Sequence, residues 1–340
     1  MKIAVFEAED RERAAFEGLR AKHNVVFVPE PLKPGMIQHS DADIISTFIY
    51  SEMGRDVIDR FPDLKLIATR STGFEHIDAV RCKERGVAIC NVPIYGANTV
   101  AEHVFALLLS ISHRMSEAVA RAQRGHFSPF GLQGFDLAGK TFGVIGTGSI
   151  GRHVIQIAKG FDMNVIAFDV RRDDELAAKL GFSYVTLDEL LAQADIVSLH
   201  VPSMPSTHHL ICTDSIAKMK TGAVIINVSR GDLIETGALI QALTTGKISA
   251  AGLDVLPDEP MIREEAQLIN SIFGNEGELR TLVANHILLR LRNVVVTPHS
   301  AFNTKEAVDR IVNTTVDNIS AFLAGAPTNV VAAKEKKKEK

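Results

Sequence analysis

The chain has 340 residues, 46% of them hydrophobic and 23% charged, and its 37 basic and 41 acidic residues leave a formal net charge of -4. This near balance excludes the strongly basic surface typical of nucleic-acid binding, and no run approaches the roughly 18–20 apolar residues of a membrane span. A small-molecule partner is therefore favoured, and the length suits two domains better than one.

Short apolar runs alternate with helical stretches through the first part of the chain. The predicted strands, in chain order, are KIAVF, NVVFV, DIIST, LKLIAT and VAICNV. This alternation predicts a parallel sheet with crossover helices. From Gly96 to about Arg124 we expect a long helical segment, whose AEHVFALLLSISHRM portion is apolar almost all round and is therefore predicted to be buried between two units.

A second alternation of strands and helices begins at Thr141. Its predicted strands are TFGVIG, NVIAFD, FSYV, DIVSLHV, AVIINVS, SAAGLDV and NVVVT. Between the last two strands, Leu256–Arg292 is longer than ordinary connections, so it is predicted either to be functional or to carry helices of its own. A final helix is expected over about Thr304–Leu323, ending at Gly325 and packing back on the N-terminal unit.

The sequence therefore predicts an α/β protein with two doubly wound parallel-sheet domains and a cleft between them. Residues 1–99 and 300–332 are expected to form a discontinuous, flavodoxin-like substrate domain. Residues 100–299 are expected to form a Rossmann nucleotide domain. Residues 333–340 contain KEKKKEK, a run without apolar side chains, and are predicted to be a disordered tail.

A glycine-rich stretch, GTGSIG from Gly146 to Gly151, directly follows the predicted strand TFGVI and opens a helix. Gly146 would permit the tight turn, Gly148 would let the backbone approach a pyrophosphate, and Gly151 would let the helix pack on the strand. The first amides of the helix, at Ser149 and Ile150, would offer free N–H donors. Strand, glycines and helix, followed by an acidic residue after the next strand, predict a dinucleotide site.

The acidic residue is Asp169, 18 residues past Gly151. Its carboxylate can accept hydrogen bonds from adenosine ribose hydroxyls and would repel a 2′-phosphate, so it favours NAD over NADP. Arg171 and Arg172 leave an alternative open, because guanidinium groups just past the acid could hold that phosphate. Their simpler interpretation is a pair of solvated surface arginines.

Three candidate catalytic side chains follow strands of the second sheet. Arg230 lies in NVSRG, Glu259 in DVLPDEP and His299 in VTPHSAF. Open α/β sheets bind ligands at the carboxyl ends of their strands, where a cation, a carboxylate and an imidazole could work together. Each residue alone also has a structural explanation, and the chain has 12 histidines. Their common position beyond strands of one sheet is what makes them candidates.

Seven stretches of the chain, up to about Val330, resemble the D-isomer-specific 2-hydroxyacid dehydrogenases, most closely their D-lactate dehydrogenase branch. In order, these stretches are LKLIATRSTGFEHID, NVPIYGANTVAEH, GVIGTGSIG, SLHVP, INVSRG, GLDV and TPHSAFNT. Their joint occurrence in this order is highly specific. The departures are small, since the branch often has Val where Thr72 stands and Asp where Glu75 stands.

The resemblance implies roles for individual residues. Arg230 would bind the carboxylate and ketone of a 2-oxo acid, and His299 would exchange a proton with the 2-oxygen. Glu259 would favour the charged imidazolium of His299, and the backbone amides of Thr72 and Gly73 would bind the substrate carboxylate. The cofactor is expected to be NAD, with further contacts from Val201, Pro202, Thr207, Val228 and Asp254.

The substrate implied by the branch is pyruvate or D-lactate. Phe48, Ile49, Tyr50 and Phe302 could equally line a pocket for phenylpyruvate or branched 2-oxo acids, and one methylene in such a pocket is worth only about 1–3 kcal/mol. Formate or phosphite oxidation is a further alternative, disfavoured because formate enzymes of this family carry Gln where this chain has Glu259. A catalytically silent NAD-sensing scaffold is the alternative from another class, and the intact catalytic set disfavours it.

Cysteine usage and assembly complete the expectations. Cys82, Cys90 and Cys212 show no CxxC pairing, and the opening residues MKIAVFEAED show no leader, so a reducing cytosol is predicted. No metal, nucleic acid or membrane is expected as a partner. A homodimer is implied by the family and by the apolar helix.

Overall fold

The computed structural model describes residues 1–257 and 276–331. Its chain divides into two compact units. The first comprises Met1–Gly96 with the described residues from Thr304 onward, and the second comprises the described residues of Ala97–Asn303. Glu259 and the predicted Lys-rich tail at residues 333–340 lie outside the described residues.

The first unit is built on a sheet of five parallel strands in the order β2-β1-β3-β4-β5. The strands are β1 (Lys2–Phe6), β2 (Asn24–Val28), β3 (Ile44–Thr47), β4 (Leu66–Thr69) and β5 (Ala88–Cys90). Both β3 and β4 are buried along their whole length, as expected for parallel strands that are covered on two faces. The sheet is connected by a 3-10 helix (Asp10–Phe16), α1 (Glu17–Arg20), α2 (Arg55–Ile58) and α3 (Ala79–Arg85).

The second unit contains seven parallel strands in the order β12-β11-β10-β9-β6-β7-β8. They are β6 (Thr141–Ile145), β7 (Asn164–Phe168), β8 (Ser183–Tyr184), β9 (Ile196–Leu199), β10 (Ala223–Asn227), β11 (Ile248–Leu253) and β12 (Val294–Val296). The order reverses between β6 and β9, which is the switch point of a Rossmann sheet. The first sheet has the flavodoxin-like order, so the predicted fold class of two doubly wound parallel sheets is confirmed.

Helices cover the second sheet. They are α4 (Ala97–Ser112), α5 (Met115–Gln123), α6 (Ser149–Gly160), α7 (Asp174–Leu180), α8 (Leu187–Gln193), α9 (Thr213–Lys218), α10 (Thr236–Thr245) and α11 (Glu276–Arg290), with a 3-10 helix at Gly231–Leu233. The apolar helix α4 contacts α6 and the strands β10, β11 and β12 of its own unit. Its apolar surface therefore forms part of the nucleotide unit's core.

The segment from Gly96 to Arg124 is helical over most of its length, as expected, but it consists of two helices rather than one. The chain turns at Arg114, which has φ 50°, and α5 begins only after it. The carbonyl of Ser112 accepts a hydrogen bond from the amide of Phe135 at 3.0 Å, and a Cβ on Gly134 would lie 1.8 Å from that same oxygen. A distant segment thus occupies the carbonyl at which α4 ends.

The last helix, α12 (Lys305–Leu323), returns to the first unit. Its N-cap Thr304 accepts a hydrogen bond from the amide of Ala307 at 3.3 Å. The helix packs against β4 and the 3-10 helix of that unit. Beyond it, Cys90 and Val330 form an isolated antiparallel bridge, which ties the last described residues to β5.

Candidate active site

The glycine-rich stretch forms the turn between β6 and α6. Gly146 has φ 100°, where L side chains are strained, and a Cβ there would lie 2.7 Å from the carbonyl oxygen of His200. A Cβ on Gly151 would lie 2.0 Å from the carbonyl oxygen of Gly146. A Cβ on Gly148, by contrast, would meet nothing within 4 Å. The protein itself requires Gly146 and Gly151, whereas Gly148 faces open space that a ligand could use.

The N-terminus of α6 offers hydrogen-bond donors at this turn. Gly148 is the N-cap and contributes no side-chain cap, and the first intrahelical bond runs from the amide of Arg152 to the carbonyl of Gly148 at 3.0 Å. The amides of Ser149 and Ile150 precede that bond, and both residues are at least partly exposed. Such amides, at the positive end of a helix dipole, are suited to binding a pyrophosphate.

Asp169 follows β7 and turns its carboxylate toward the glycine turn. Its Oδ2 accepts from the amide of Thr147 at 2.7 Å and from the Thr147 hydroxyl at 3.0 Å, and its Oδ1 accepts from the amide of Arg171 at 2.9 Å. Burial, the largest single influence, would raise the pKa of Asp169, but these hydrogen bonds and one from the amide of Val170 hold it below its ordinary value. The carboxylate is therefore ionised at neutral pH.

Two neighbours of Asp169 were missed by sequence reasoning. Tyr184 in β8 shares a hydrogen bond with Oγ1 of Thr147 at 2.8 Å, so that Tyr184, Thr147 and Asp169 form a chain. The only signal in the sequence was the position of Thr147 within the glycine-rich stretch.

Arg171 and Arg172 are exposed, as solvated surface arginines would be.

The segment after β9 packs on the glycine turn at the switch point of the sheet. Cγ1 of Val201 would lie 3.0 Å from a Cβ on Gly146. Thr207 Oγ1 donates to the carbonyl of Pro202 at 2.6 Å and accepts from the amide of Met204 at 2.9 Å. These bonds close residues 202–207 into a turn beside the carboxyl ends of β6 and β9, where open sheets bind ligands.

Arg230 follows β10 on a loop that buried polar groups fix. Asn227, 1% exposed, donates to the carbonyl of Arg230 at 2.8 Å and accepts from the amide of Ser229 at 3.0 Å. The hydroxyl of Ser229 donates to the carbonyl of Leu199 in β9 at 3.0 Å. Val228, between these polar residues, is buried. The half-buried guanidinium of Arg230 therefore extends from a backbone anchored to two strands.

Gly231 brings this loop into backbone contact with the segment after β11. A Cβ on Gly231 would lie 2.1 Å from the carbonyl carbon of Leu256 and 2.3 Å from the nitrogen of Pro257. Neither Asn227 nor Gly231 was among the predicted site residues, although both lie in or beside the NVSRG motif. Glu259, the third predicted catalytic residue, belongs to the part of the chain that is not described.

His299 follows β12 and has φ 50°, a left-handed conformation that non-glycine residues seldom adopt. Its amide donates to the carbonyl of Asp254 at 2.9 Å. The carboxylate of Asp254, 1% exposed, accepts from the amides of Ser300 and Ala301, both at 2.9 Å, and from the hydroxyl of Thr297. Asp254 thus binds His299 itself, the Thr297 side chain before it and two backbone amides after it, and these bonds stabilise the strained conformation of His299.

A half-buried histidine, His103, supports Asp254. His103 Nε2 lies 2.9 Å from Oγ1 of Thr297 and 3.4 Å from Oδ1 of Asp254. Burial would raise the pKa of Asp254, but the hydrogen bonds from His103, Thr297 and the following loop hold it below its ordinary value. The described partners of Asp254 are groups of the protein, and its contact with the cofactor stays a prediction. His103 and Thr297 were missed, although the AEH and TPH motifs contain them.

In the first unit, Thr72 and Gly73 follow β4 on a loop whose side chains and carbonyls form hydrogen bonds. Thr72 Oγ1 donates to the carbonyl of Val92 at 2.7 Å, and Asn91 Nδ2 donates to the carbonyl of Thr72 at 2.7 Å. Ser71 Oγ donates to the carbonyl of Gly73 at 2.6 Å. The described residues supply no hydrogen-bond acceptor for the amides of Thr72 and Gly73. Two such amides on a fixed loop can bind a carboxylate.

The two predicted aromatic substrate residues belong to different units. Tyr50 follows β3 in the first unit, is 37% exposed, and packs edge-to-face on Phe48 with ring centroids 5.6 Å apart. Phe302 is half-buried in the second unit, shortly after His299. Each lies beyond the carboxyl end of a strand of its own sheet, the edge at which open sheets bind ligands.

The donor set at the carboxyl edge of the second sheet fits a dinucleotide. Helix amides, open space at Gly148 and the ionised Asp169 match the phosphate and ribose groups of such a cofactor.

Within the described ranges, no group of three or more His, Cys, Asp or Glu side chains could hold a metal ion. In the same part of the chain, no helix combines the length and apolar character that crossing a membrane requires.

Comparison with known proteins points to one family. Residues 105–301 match the family model of the D-isomer specific 2-hydroxyacid dehydrogenase, NAD binding domain. A 2-hydroxyacid dehydrogenase homolog of Haemophilus influenzae is 35% identical over 333 residues, covering 96% of this chain and 97% of that protein. An aromatic 2-oxoacid reductase of Clostridium sporogenes is 35% identical over 331 residues, covering 95% of this chain and 96% of that protein. The solved structure of the pyruvate reductase of Chlamydomonas reinhardtii matches with a TM-score of 0.86 at 35% identity, covering 96% of this chain and 97% of that one.

Proposed function

This chain belongs to the D-isomer specific 2-hydroxyacid dehydrogenase family and is an NAD-dependent oxidoreductase of CH–OH groups, and from that premise we propose that it interconverts pyruvate and D-lactate. The observation that carries the proposal is the position of Arg230 and His299 beyond β10 and β12, at the edge of the sheet that bears the glycine turn. A cation and a proton-exchanging imidazole at that edge suit the reduction of a 2-oxo acid. The likeness to a pyruvate reductase supports the choice of pyruvate.

When bound in its reduced form, NADH, the cofactor would supply the hydride for reduction, and NAD+ would accept it in oxidation. We propose that the amides of Ser149 and Ile150 bind its pyrophosphate and that Asp169 accepts hydrogen bonds from its adenosine ribose. We assign further contacts with NAD to five residues: Val201, Pro202, Thr207, Val228 and Asp254.

The acid–base and binding roles fall on the chain's own side chains. The planar guanidinium of Arg230 can hold a carboxylate oxygen and polarise the neighbouring ketone together. His299 acts as general acid toward the 2-oxygen in reduction and as general base in oxidation. The amides of Thr72 and Gly73 are assigned to the substrate carboxylate. Glu259 is assigned to stabilising the imidazolium of His299.

A bulkier substrate is the second candidate. The relative named an aromatic 2-oxoacid reductase favours phenylpyruvate or a similar 2-oxo acid. The edge-to-face pair of Phe48 and Tyr50 beyond β3 could pack against an aromatic or branched side chain. Because a methylene contributes only about 1–3 kcal/mol to such discrimination, kinetics must decide between the two classes.

Steady-state kinetics with NADH and a panel of pyruvate, phenylpyruvate and 4-methyl-2-oxopentanoate test the proposal. We expect the highest kcat/KM with pyruvate, and chiral chromatography should identify D-lactate as the product. A preference for phenylpyruvate would transfer the assignment to the bulkier class. A protein that only senses NAD would consume no NADH with any member of the panel.

His299→Ala is the inactive control for this panel. Loss of the general acid should lower kcat by about a hundredfold to ten-thousandfold at every pH. NADH binding, measured by fluorescence, should persist, because the glycine turn and Asp169 are unchanged. An active His299→Ala would mean that another residue delivers the proton.

Assembly and compartment are part of the same proposal. We propose a homodimer, supported by Phe127 and Phe130, which are each 85% exposed. Arg121 donates to the carbonyl of Phe130 at 2.7 Å. This hydrogen bond fixes the loop that carries the two exposed rings. Large exposed apolar groups of this kind mark protein interfaces. The free cysteines suit the reducing cytosol that the sequence predicts.

A further inference from the structure

Glu7, directly after β1, accepts hydrogen bonds from the loop that follows β3. Its Oε1 accepts from the amide of Tyr50 at 2.8 Å, and its Oε2 accepts from the amide of Phe48 at 2.8 Å and from the hydroxyl of Ser51 at 2.5 Å. Three donors from one short loop therefore converge on one carboxylate, which lies more than 40 residues away in the chain. Charge-assisted bonds of this kind are stronger than those between neutral groups.

A buried arginine fixes the backbone from which this carboxylate extends. Glu7 has φ 55°, a left-handed conformation that is unfavourable for an L residue. Arg70, 1% exposed, donates to the carbonyls of Phe6 at 2.7 Å and Glu7 at 2.8 Å, and to the hydroxyl of Ser46 at 3.0 Å. Glu12 lies 3.7 Å from Nε of Arg70 and balances its charge. The strained conformation of Glu7 is thus held by neighbouring structure.

The loop bound by Glu7 carries an aromatic pair. Tyr50 is 37% exposed and packs edge-to-face on Phe48. Ser51, 1% exposed, also accepts from the amide of Leu32 at 3.0 Å, so the far end of the loop is tied to a second segment. Glu7 therefore holds the backbone from which both aromatic rings extend.

We propose that Glu7 is a positioning residue for substrate selectivity, whose carboxylate fixes the backbone of Phe48–Ser51 and thereby sets the space left for the side chain of the 2-oxo acid. The inference rests on the proposed function, since it gives Tyr50 a contact with the substrate. A carboxylate suits this task because it accepts from all three donors and donates to none. Glutamine at this position would turn an NH₂ group toward at least one donor.

The test compares Glu7→Gln and Glu7→Ala with the matched control Glu52→Gln. Glu52 is exposed and follows the same loop, so its substitution makes the same change of charge without touching the anchor. Hydrogen exchange, followed by mass spectrometry on peptides that contain residues 48–51, reports the loop backbone directly. We expect exchange at least about tenfold faster in both Glu7 variants and unchanged in the control, because the amides of Phe48 and Tyr50 lose their acceptor.

Kinetics with the panel of 2-oxo acids supply the second measurement. In both Glu7 variants, the ratio of kcat/KM between the preferred and the next substrate should fall by about fivefold or more, chiefly through KM. NADH affinity should not change. Glu7→Gln nearly preserves the shape of the side chain, so it keeps the test possible if Glu7→Ala fails to fold.

The outcomes separate this inference from the function on which it rests. If the unaltered enzyme reduces no 2-oxo acid, the proposed function fails and the inference fails with it. If the enzyme is active but the Glu7 variants keep its selectivity ratio, or lose activity equally with every substrate, only the inference is overturned. A changed ratio without faster exchange would also overturn it, because the loop backbone would then not be what Glu7 controls.

Discussion

At the scale of single residues, two carboxylates accept hydrogen bonds from backbone amides beside the glycine turn and the candidate catalytic His299. Asp254 accepts from the amides of Ser300 and Ala301, on the far side of His299, and Asp169 accepts from the amide of Thr147 at the glycine turn. For both acids, burial raises the pKa and the hydrogen bonds more than offset it. Because the folded pKa lies below the ordinary value of 3.8, their stabilisation is complete above that pH and is lost as the pH falls through the folded pKa.

The same reasoning at the residue scale gives a prediction for Asp169→Ala. The substitution should raise the KM for NADH strongly and narrow the difference between the KM values for NADH and NADPH, because in the proposed site the acid binds ribose hydroxyls and repels a 2′-phosphate. In the unaltered enzyme, the Kd of NADH should stay constant from about pH 8 to about pH 5, since the lowered pKa keeps the carboxylate ionised. Fluorescence titration with both cofactors measures these effects. If the unaltered enzyme prefers NADPH, Arg171 and Arg172 govern the pocket instead.

Arg230→Lys tests the planar fork of the guanidinium. Lysine keeps the charge but cannot hold a carboxylate and polarise the adjacent ketone at once, so kcat/KM for pyruvate should fall by at least about a hundredfold, on the order of 3 kcal/mol of transition-state stabilisation. The exposed Arg292, changed to Lys, is the control and should remain active. Near-normal turnover of Arg230→Lys would remove Arg230 from the site.

At the scale of elements, close approach between backbones decides where the Arg230 loop and the glycine turn can lie. The loop after β10 and the segment after β11 touch at Gly231, where a side chain would collide with Leu256 and Pro257. A similar contact between Gly151 and Gly146 lets α6 pack against the end of β6. The positions of Arg230 and of the glycine turn therefore depend on glycines whose role is to leave room for neighbouring backbone.

Gly231→Ala should accordingly displace the Arg230 loop. Its Cβ would lie 2.1 Å from a backbone atom, which flexible side chains cannot relieve. We expect kcat/KM to fall at least about tenfold and the free energy of unfolding to fall by roughly 1–3 kcal/mol, as for other overpacked sites. Gly237→Ala is the matched control, because a Cβ there meets nothing within 4 Å and Gly237 lies in α10, where alanine is favoured.

Urea unfolding and pyruvate kinetics measure both variants. The control should be neutral or slightly stabilised. Equal behaviour of Gly231→Ala and Gly237→Ala would contradict the proposed dependence of Arg230 on this contact.

At the scale of the whole molecule, the chain builds one sheet, passes into the second unit, and returns to the first through α12. Each unit has its own core: Ile45, Phe61 and Ile67 contribute to the first, and Val197 and Ile225 to the second. Because the last helix packs on β4, removing it would expose part of the first unit's core. Because α12 belongs to the first unit although it follows the second in the chain, the first unit is discontinuous in sequence.

The proposed assembly gives a prediction at this scale. Changing Phe127 and Phe130 together to Ser should convert a dimer into a monomer in size-exclusion chromatography with light scattering, because their exposed apolar area would no longer favour association. The exposed Val170, changed to Ser, is a control that should leave the assembly unaltered. A monomeric unaltered protein, or a dimeric double variant, would contradict the assignment of this loop to the interface.

Local patterns in the sequence determined the strands of both sheets and the glycine turn, because hydrophobic periodicity and glycine placement act over a few residues. They also place Arg230 and His299 beyond strands, although their roles were implied by the family resemblance and remain proposals.

The tertiary structure alone decided features that depend on distant residues. The helix after Gly96 breaks where Phe135 binds the carbonyl of Ser112. The carboxylate of Asp254 accepts from Thr297, Ser300 and Ala301, which lie 43 to 47 residues later in the chain. The donors to Glu7 lie 41 to 44 residues away. The physical reason is that hydrogen bonding and close approach between remote segments are set by how the elements pack, which local propensity does not encode.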